Sequence, residues 1–152
     1  RSVLLWGSQN KQLQSALTNY GFFQGAVKRF MPGEDLGSAL SAAEALQAEG
    51  ISSTITHLGE NISSEPEADL VTRHYLEVID HIKKRKLHSN ISIKLTQLGL
   101  DISTGLAYKK LEALIKRAAK HGNFVWIDME GSPYVDRTLE IYRKAKKMAS
   151  IT

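Results

Sequence analysis

The sequence predicts an α/β protein: N-terminal helices followed by the first three βα units of a (βα)8 barrel, with parallel strands and the barrel incomplete. From residue 51 onward, short β-like runs alternate with amphipathic helical stretches. That order joins parallel strands through right-handed crossovers. The spacing is regular, because Glu60 to Lys94 and Lys94 to Asp128 are each 34 residues. Eight such units need about 270 residues, close to the ~250 of a complete TIM-type barrel. This chain of 152 residues holds three. Helical repeats of similar period carry a helix pair and no alternating strand in each unit. A doubly wound sheet stays open as an alternative, but its glycine-rich dinucleotide fingerprint is missing from the first turn.

Residues 1–33 read as a helical arm and 34–152 as the first part of the barrel. Leu13, Ala16, Leu17 and Tyr20 recur at helix spacing, and Phe22, Phe23, Val27 and Phe30 follow across two glycines. Met31-Pro32-Gly33 is a break. Glu34 and Asp35 open a helix whose main apolar residues are Leu36, Leu40 and Leu46, and Gly50 is placed to end it. The first strand is Ile51 to Thr56. The next helix runs from about Glu65 to Lys86, with Ser64 and Glu67 at capping-box spacing and Pro66 in its first turn. Val71, Tyr75, Val78, Ile79 and Ile82 form its apolar stripe. The second strand, Asn90 to Thr96, sets Ile91, Ile93 and Leu95 against Ser92, Lys94 and Thr96. A helix around Tyr108 to Lys120 carries Leu111, Leu114 and Ile115. The third strand, Asn123 to Asp128, leads into Gly131-Ser132-Pro133, a helix start continued by Val135, Leu139, Tyr142 and Ala145.

Composition narrows the function. A hydrophobic share of 42% can build a core, and 24% charged residues is an ordinary globular value. The absence of cysteine excludes a disulfide scaffold, a thiol nucleophile and a thiolate zinc site. Net charge is +4, and the densest basic run, Lys83-Lys84-Arg85-Lys86, sits where a helix C-terminus favours cations. No aromatic residues interleave with it, so no nucleic-acid partner is expected. No apolar run approaches the ~20 residues needed to cross a bilayer, so any membrane contact is expected to be peripheral. His57, His74, His81, His88 and His121 lack metal-site spacing and read as surface histidines, with no metal expected. No GxSxG elbow supports a serine hydrolase. The chain opens on Arg1 rather than Met, and the natural protein is expected to be longer.

In a barrel of this kind, functional residues occupy the C-terminal ends of strands and the loops beyond them. Glu60 lies past the first strand, Asp128 ends the third, and Glu130 follows it. Solvated loop carboxylates account for these positions equally well. Lys94 is more informative. If the apolar face of its strand meets the helices, Lys94 points into the barrel. A buried ammonium there needs a partner, and Asp128 is the obvious one. A structural ion pair, or a register that leaves Lys94 in solvent, is the alternative to a ligand-binding cation. Trp126 shares the parity of Asp128 and is expected in the barrel interior. Tyr108 and Tyr134 stand where they could reach a site or simply pack.

Four segments together resemble the proline dehydrogenase family, in its monofunctional bacterial form. They are Arg29-Phe30-Met31-Pro32-Gly33-Glu34, Leu58-Gly59-Glu60, Ile91-Ser92-Ile93-Lys94-Leu95-Thr96-Gln97-Leu98-Gly99, and Trp126-Ile127-Asp128-Met129-Glu130. The resemblance implies a (βα)8 barrel holding FAD. It implies oxidation of L-proline to 1-pyrroline-5-carboxylate by hydride transfer from C5 to the flavin N5, with electrons passing to a membrane quinone. By the same resemblance, Lys94 lies against the flavin and the proline carboxylate, and Asp128 orients it. The Met129 backbone lies near the flavin, and Glu60 is a gate that pairs with an arginine from the last helix. The implied location is cytoplasmic, peripheral at the inner membrane.

Two departures from the family pattern stand out. Thr56 occupies a position where family members often carry Asp, which makes that side of the pocket less acidic. Later flavin contacts and the arginines that clamp the carboxylate would belong to segments beyond the third helix. Another flavin- or phosphate-binding barrel enzyme, or a catalytically incompetent interaction module, are the competing readings. Residues 1–152 alone are expected to bind neither FAD nor proline well. Retention of FAD by this segment after gel filtration would overturn that expectation.

Overall fold

Among the described residues, two helices cover one face of a three-stranded parallel sheet, and the other face holds the more exposed strand residues. A computed structural model describes residues 35–59 and 62–148. The expected arm, 1–33, and Glu60 lie outside the described residues. In order, the elements are α1 (Leu36–Ala48), β1 (Ser53–Thr56), α2 (Glu65–Arg85), β2 (Ser89–Ile93), α3 (Thr104–Lys120), β3 (Val125–Ile127) and α4 (Val135–Met148). Short 3-10 turns at Thr96–Leu98 and Ser132–Tyr134 follow β2 and precede α4. The chain divides into two compact units, 1–42 and 43–152, with the boundary inside α1.

Strand order is β1-β2-β3, parallel throughout, so the predicted α/β class and its βα repeat are present. Register pairs Thr56 with Ser92, and Ser92 with Trp126. Ile91, Ile93 and Leu95 are at most 1% exposed. Fully burying each such side chain contributes about 1.5–3 kcal/mol. The helices bury Ala68, Thr72, Tyr75, Val78, Ile79 and Ile82 on α2, which packs on β2, and Ala107, Leu111, Leu114 and Ala118 on α3, which packs on β3 and the turn after β2.

Local chemistry explains the element ends and several differences from expectation. Asp35 opens α1 by accepting the Ser38 backbone N–H at 3.0 Å. Ser64 occupies the N-cap position of α2, but its hydroxyl makes no capping bond, so the spacing there locates the helix start without forming a capping box. Helix α3 begins at Thr104 rather than near Tyr108. The Ser103 hydroxyl accepts the N–H groups of Gly105 and Leu106 and so carries the helix back past a glycine. The second strand stops at Ile93 instead of Thr96, because Leu95 turns helical and starts the 3-10 turn. On α4 the buried stripe is Thr138, Ile141 and Ala145, and Tyr142 is 46% exposed. The helix is therefore rotated relative to the stripe read from Leu139 and Tyr142.

Two polar ties hold α2 to α3. Lys110, nearly buried, pairs with Asp69. The Asp80 carboxylate receives Arg117 at 2.5 Å and faces His121 Nε2 at 2.9 Å. The hydrogen bonds from Arg117 and His121 hold the Asp80 carboxyl below the usual carboxylate range. A depressed carboxylate stabilises the fold above its unfolded-state pKa and loses that contribution as pH falls through the folded-state value. In the full-length protein, Asp80→Asn should therefore unfold more easily than wild type near neutral pH. The gap should close as pH falls below about 4, read by denaturant melts at each pH. Gly99 gives a second test. Its φ is +87°, and an added Cβ would lie 2.9 Å from Leu106 Cδ2. Gly99→Ala should lower stability by about 1–2 kcal/mol from the backbone alone, with the Leu106 contact adding to the loss in a thermal melt.

Candidate active site

The open face of the sheet carries Thr54 and Thr56 from β1, Asn90 and Ser92 from β2, and Trp126 from β3, with Phe124 just before that strand. Lys94 follows the end of β2 and Asp128 follows the end of β3. The Asp128 N–H donates to the Ile93 carbonyl at 2.9 Å, which extends the ladder one residue past the strand and sets the two side chains side by side. Lys94 Nζ lies 2.8 Å from Asp128 Oδ2. The side chains are 24% and 50% exposed, so solvent screens the pair and its contribution to stability is about 0–1 kcal/mol. Its importance is positional: it fixes a cation at a strand end.

Of the other expected site residues, Met129 is 52% exposed in the loop beyond Asp128. Trp126 is 53% exposed on the open face, with its ring edge-on to Phe124 at 5.0 Å. Glu130 is engaged structurally. It accepts the Thr96 hydroxyl at one oxygen and the Thr96 N–H at the other, 3.1 Å away. Tyr108 has Lys144 Nζ 4.0 Å from its ring centroid, and the Tyr134 hydroxyl lies 3.4 Å from Asp101. The histidines are not uniformly at the surface. His74 is half-buried, and desolvation together with nearby His57 lowers its pKa. Among the described residues no group of three or more His, Asp or Glu could hold a metal ion.

Sequence reasoning missed Gln97 and the role of Tyr75. Gln97 is 1% exposed, and its side chain has four hydrogen-bond contacts. Its Oε1 accepts the Lys94 N–H at 3.2 Å and lies 3.0 Å from the Tyr75 hydroxyl. Its Nε2 donates to the carbonyls of His57 and Gly59 at 2.7 and 2.6 Å. Tyr75, fully buried on α2, accepts the His57 N–H at 3.0 Å and also reaches the Ser92 carbonyl. Burial raises the pKa of its hydroxyl. The available signal was a polar pair, Thr96-Gln97, set inside the apolar frame Leu95, Leu98 and Leu100.

A cleft lined by Lys83, Lys86, His88, His121 and Asn123 lies at the N-terminal ends of the strands, away from Lys94. The chemically equipped end is the other one, where barrel and open-sheet α/β enzymes place their reactive groups. Fold and site together define a chain of βα units with a paired lysine and aspartate at the C-terminal strand ends. Residues 39–152 match the family model described as Proline dehydrogenase, and the chain belongs to that family. It is 39% identical to proline dehydrogenase 1 of Bacillus subtilis over 147 residues, covering 97% of this chain and 48% of that protein. It is 30% identical to the proline dehydrogenase of Deinococcus radiodurans over 120 residues, covering 77% and 39%. The chain thus spans about half the length of the Bacillus relative. The crystal structure of proline utilization A from Bdellovibrio bacteriovorus, inactivated by N-propargylglycine, shares the fold. Its TM-score is 0.70 at 20% identity, over 95% of this chain and 21% of that one.

The Thr96–Glu130 tie can be tested by stability alone. Glu130→Ala leaves the fully buried Thr96 hydroxyl without its acceptor. The full-length protein should lose about 1–3 kcal/mol in a denaturant melt.

Proposed function

We propose that this chain supplies part of an L-proline-oxidising, FAD-dependent centre at the C-terminal ends of its strands. The observation that carries the reading is the Lys94–Asp128 pair, beside the sheet face opposite the helices, in a chain of the proline dehydrogenase family. An ammonium in that place suits the carboxylate of proline, because a charge-assisted hydrogen bond both binds and orients it. Asp128, 2.8 Å from the ammonium, keeps it aimed. The three βα units then belong to a (βα)8 barrel, with residues 1–33 as its arm, and Glu60 acts as a gate over the substrate.

The residues present fit FAD. Trp126 and Met129 offer exposed apolar surface next to a cation, the combination that suits a planar ring which gains negative charge on reduction. Lys94 and the Met129 backbone are the contacts this chain would provide. When bound, FAD would supply the two-electron chemistry by which proline loses a hydride from C5 and a proton from its ring nitrogen to become 1-pyrroline-5-carboxylate. A quinone is the proposed electron acceptor, reached by peripheral contact of a cytoplasmic protein with the membrane. Among the described residues no helix is long and apolar enough to cross a membrane.

In the full-length enzyme without oxygen, L-proline should bleach the visible flavin absorbance. Lys94→Ala should lower kcat/KM for proline by about 30- to 1000-fold, equivalent to about 2–4 kcal/mol. Wild-type flavin that proline leaves oxidised, or an unchanged kcat/KM in the variant, would overturn the reading.

A further inference from the structure

We propose that Gln97 is a positioning residue that couples the loop after β1 to Lys94, so that the two sides of the proposed site hold one fixed relation. The inference rests on the proline-oxidising reading for its kinetic consequence, but its geometry stands independently.

The argument begins with donors and acceptors. A glutamine amide has two protons to give and two lone pairs to accept with, and a buried one is costly unless they are used. At 1% exposure, Gln97 uses both protons and accepts the Lys94 N–H, and its second lone pair faces the Tyr75 hydroxyl, whose single proton is shared with the Ser92 carbonyl. Its orientation is determined by the partners. The His57 and Gly59 carbonyls can only accept, so the Nε2 end must face them. The Lys94 N–H can only donate, so the Oε1 end must face it. A flipped amide would set N–H against N–H and oxygen against two carbonyls.

Connectivity gives this arrangement its consequence. His57 and Gly59 lie in the loop leaving β1, and Glu60 is the next residue in sequence. Lys94 is the first residue beyond β2. Strand pairing between β1 and β2 ends at Thr56 and Ser92, and the later backbone bond from this loop, Ile62 N–H to the Thr96 carbonyl at 3.3 Å, reaches neither residues 57–59 nor Lys94. The Gln97 side chain bridges that gap. Tyr75 braces the same node from α2, through the His57 N–H and its contact with Gln97 Oε1. Displacing the amide therefore removes a bond from residues 57–59 and from the Lys94 N–H together, while the backbone ties of Ile62 to Thr96 and of Asp128 to Ile93 remain.

Two variants of the full-length enzyme test this. Gln97→Glu keeps the shape but sets carboxylate oxygens against two carbonyls. A carboxyl in that place holds its proton to higher pH than usual, and the protonated form can again donate to one carbonyl. With flavin content and melting temperature close to wild type, its KM for proline should rise at least tenfold at pH 8. The ratio to wild type should shrink as pH falls, a trend that general loosening of the fold would not produce. A KM within twofold of wild type at every pH overturns the proposal. Gln97→Met retains bulk and removes every side-chain hydrogen bond, leaving the backbone N–H bond to the Lys94 carbonyl. Hydrogen exchange should then accelerate at least tenfold in both 56–59 and 94–98. Acceleration in neither segment, or in only one, overturns the coupling. The exchange measurement needs no proline, so it tests Gln97 even if the enzymatic reading fails. A wild-type enzyme inert to proline would sink that reading and leave the exchange result standing.

Discussion

Ile91 and Ile93 are buried beneath α2 and α3, and their burial decides which way every alternate residue of β2 must face. A one-residue slip would turn Ser92 and Lys94 toward the helices and expose the isoleucines. That slip forfeits about 1.5–3 kcal/mol for each apolar side chain, and it adds the several-kcal/mol penalty of burying an ammonium away from Asp128. The direction of Lys94 is thus a consequence of the outer core, set by residues that touch nothing reactive. The half-exposed ion pair with Asp128 is too weak to impose the register and instead benefits from it.

The turn after β2 is the second determinant of the site. Residues 95–100 are all buried, although three of them are Thr, Gln and Gly. Each polar group there is matched outward to a different element. Thr96 meets Glu130 beyond β3, and Gln97 meets Tyr75 on α2 and the carbonyls of the loop after β1. Gly99 permits the left-handed turn that returns the chain toward α3 against Leu106. A short segment following Lys94 therefore contacts every neighbour of the strand end. The site geometry rests on buried hydrogen bonds more than on the exposed charges.

Much of this was legible in the sequence. Alternation through Ile91-Ser92-Ile93 gave both the strand and the parity that sets Ser92 and Lys94 apart from the buried isoleucines, because period-2 patterning reports a one-sided core directly. The constant 34-residue spacing placed Lys94 and Asp128 on successive strand ends, where their contact is found. What escaped were features decided by partners far along the chain. Gln97 looks like a solvent-facing residue until the carbonyls of His57 and Gly59 are known to face it. The Ser103 cap could not be weighed against the helix-weakening Gly105 beside it. On α4, Ile141 is buried while Tyr142 stays exposed, a rotation that neighbouring apolar positions do not reveal.

A double-mutant cycle on kcat/KM for proline in the full-length enzyme probes most directly whether Lys94 and Asp128 act as one group. The variants are Lys94→Ala, Asp128→Asn and the two combined, each checked for bound flavin and melting temperature. If Asp128 works by holding Lys94, the double variant should be no more impaired than Lys94→Ala alone. Losses that simply add would mean the two residues act separately, and would contradict the pairing on which this reading of the site depends.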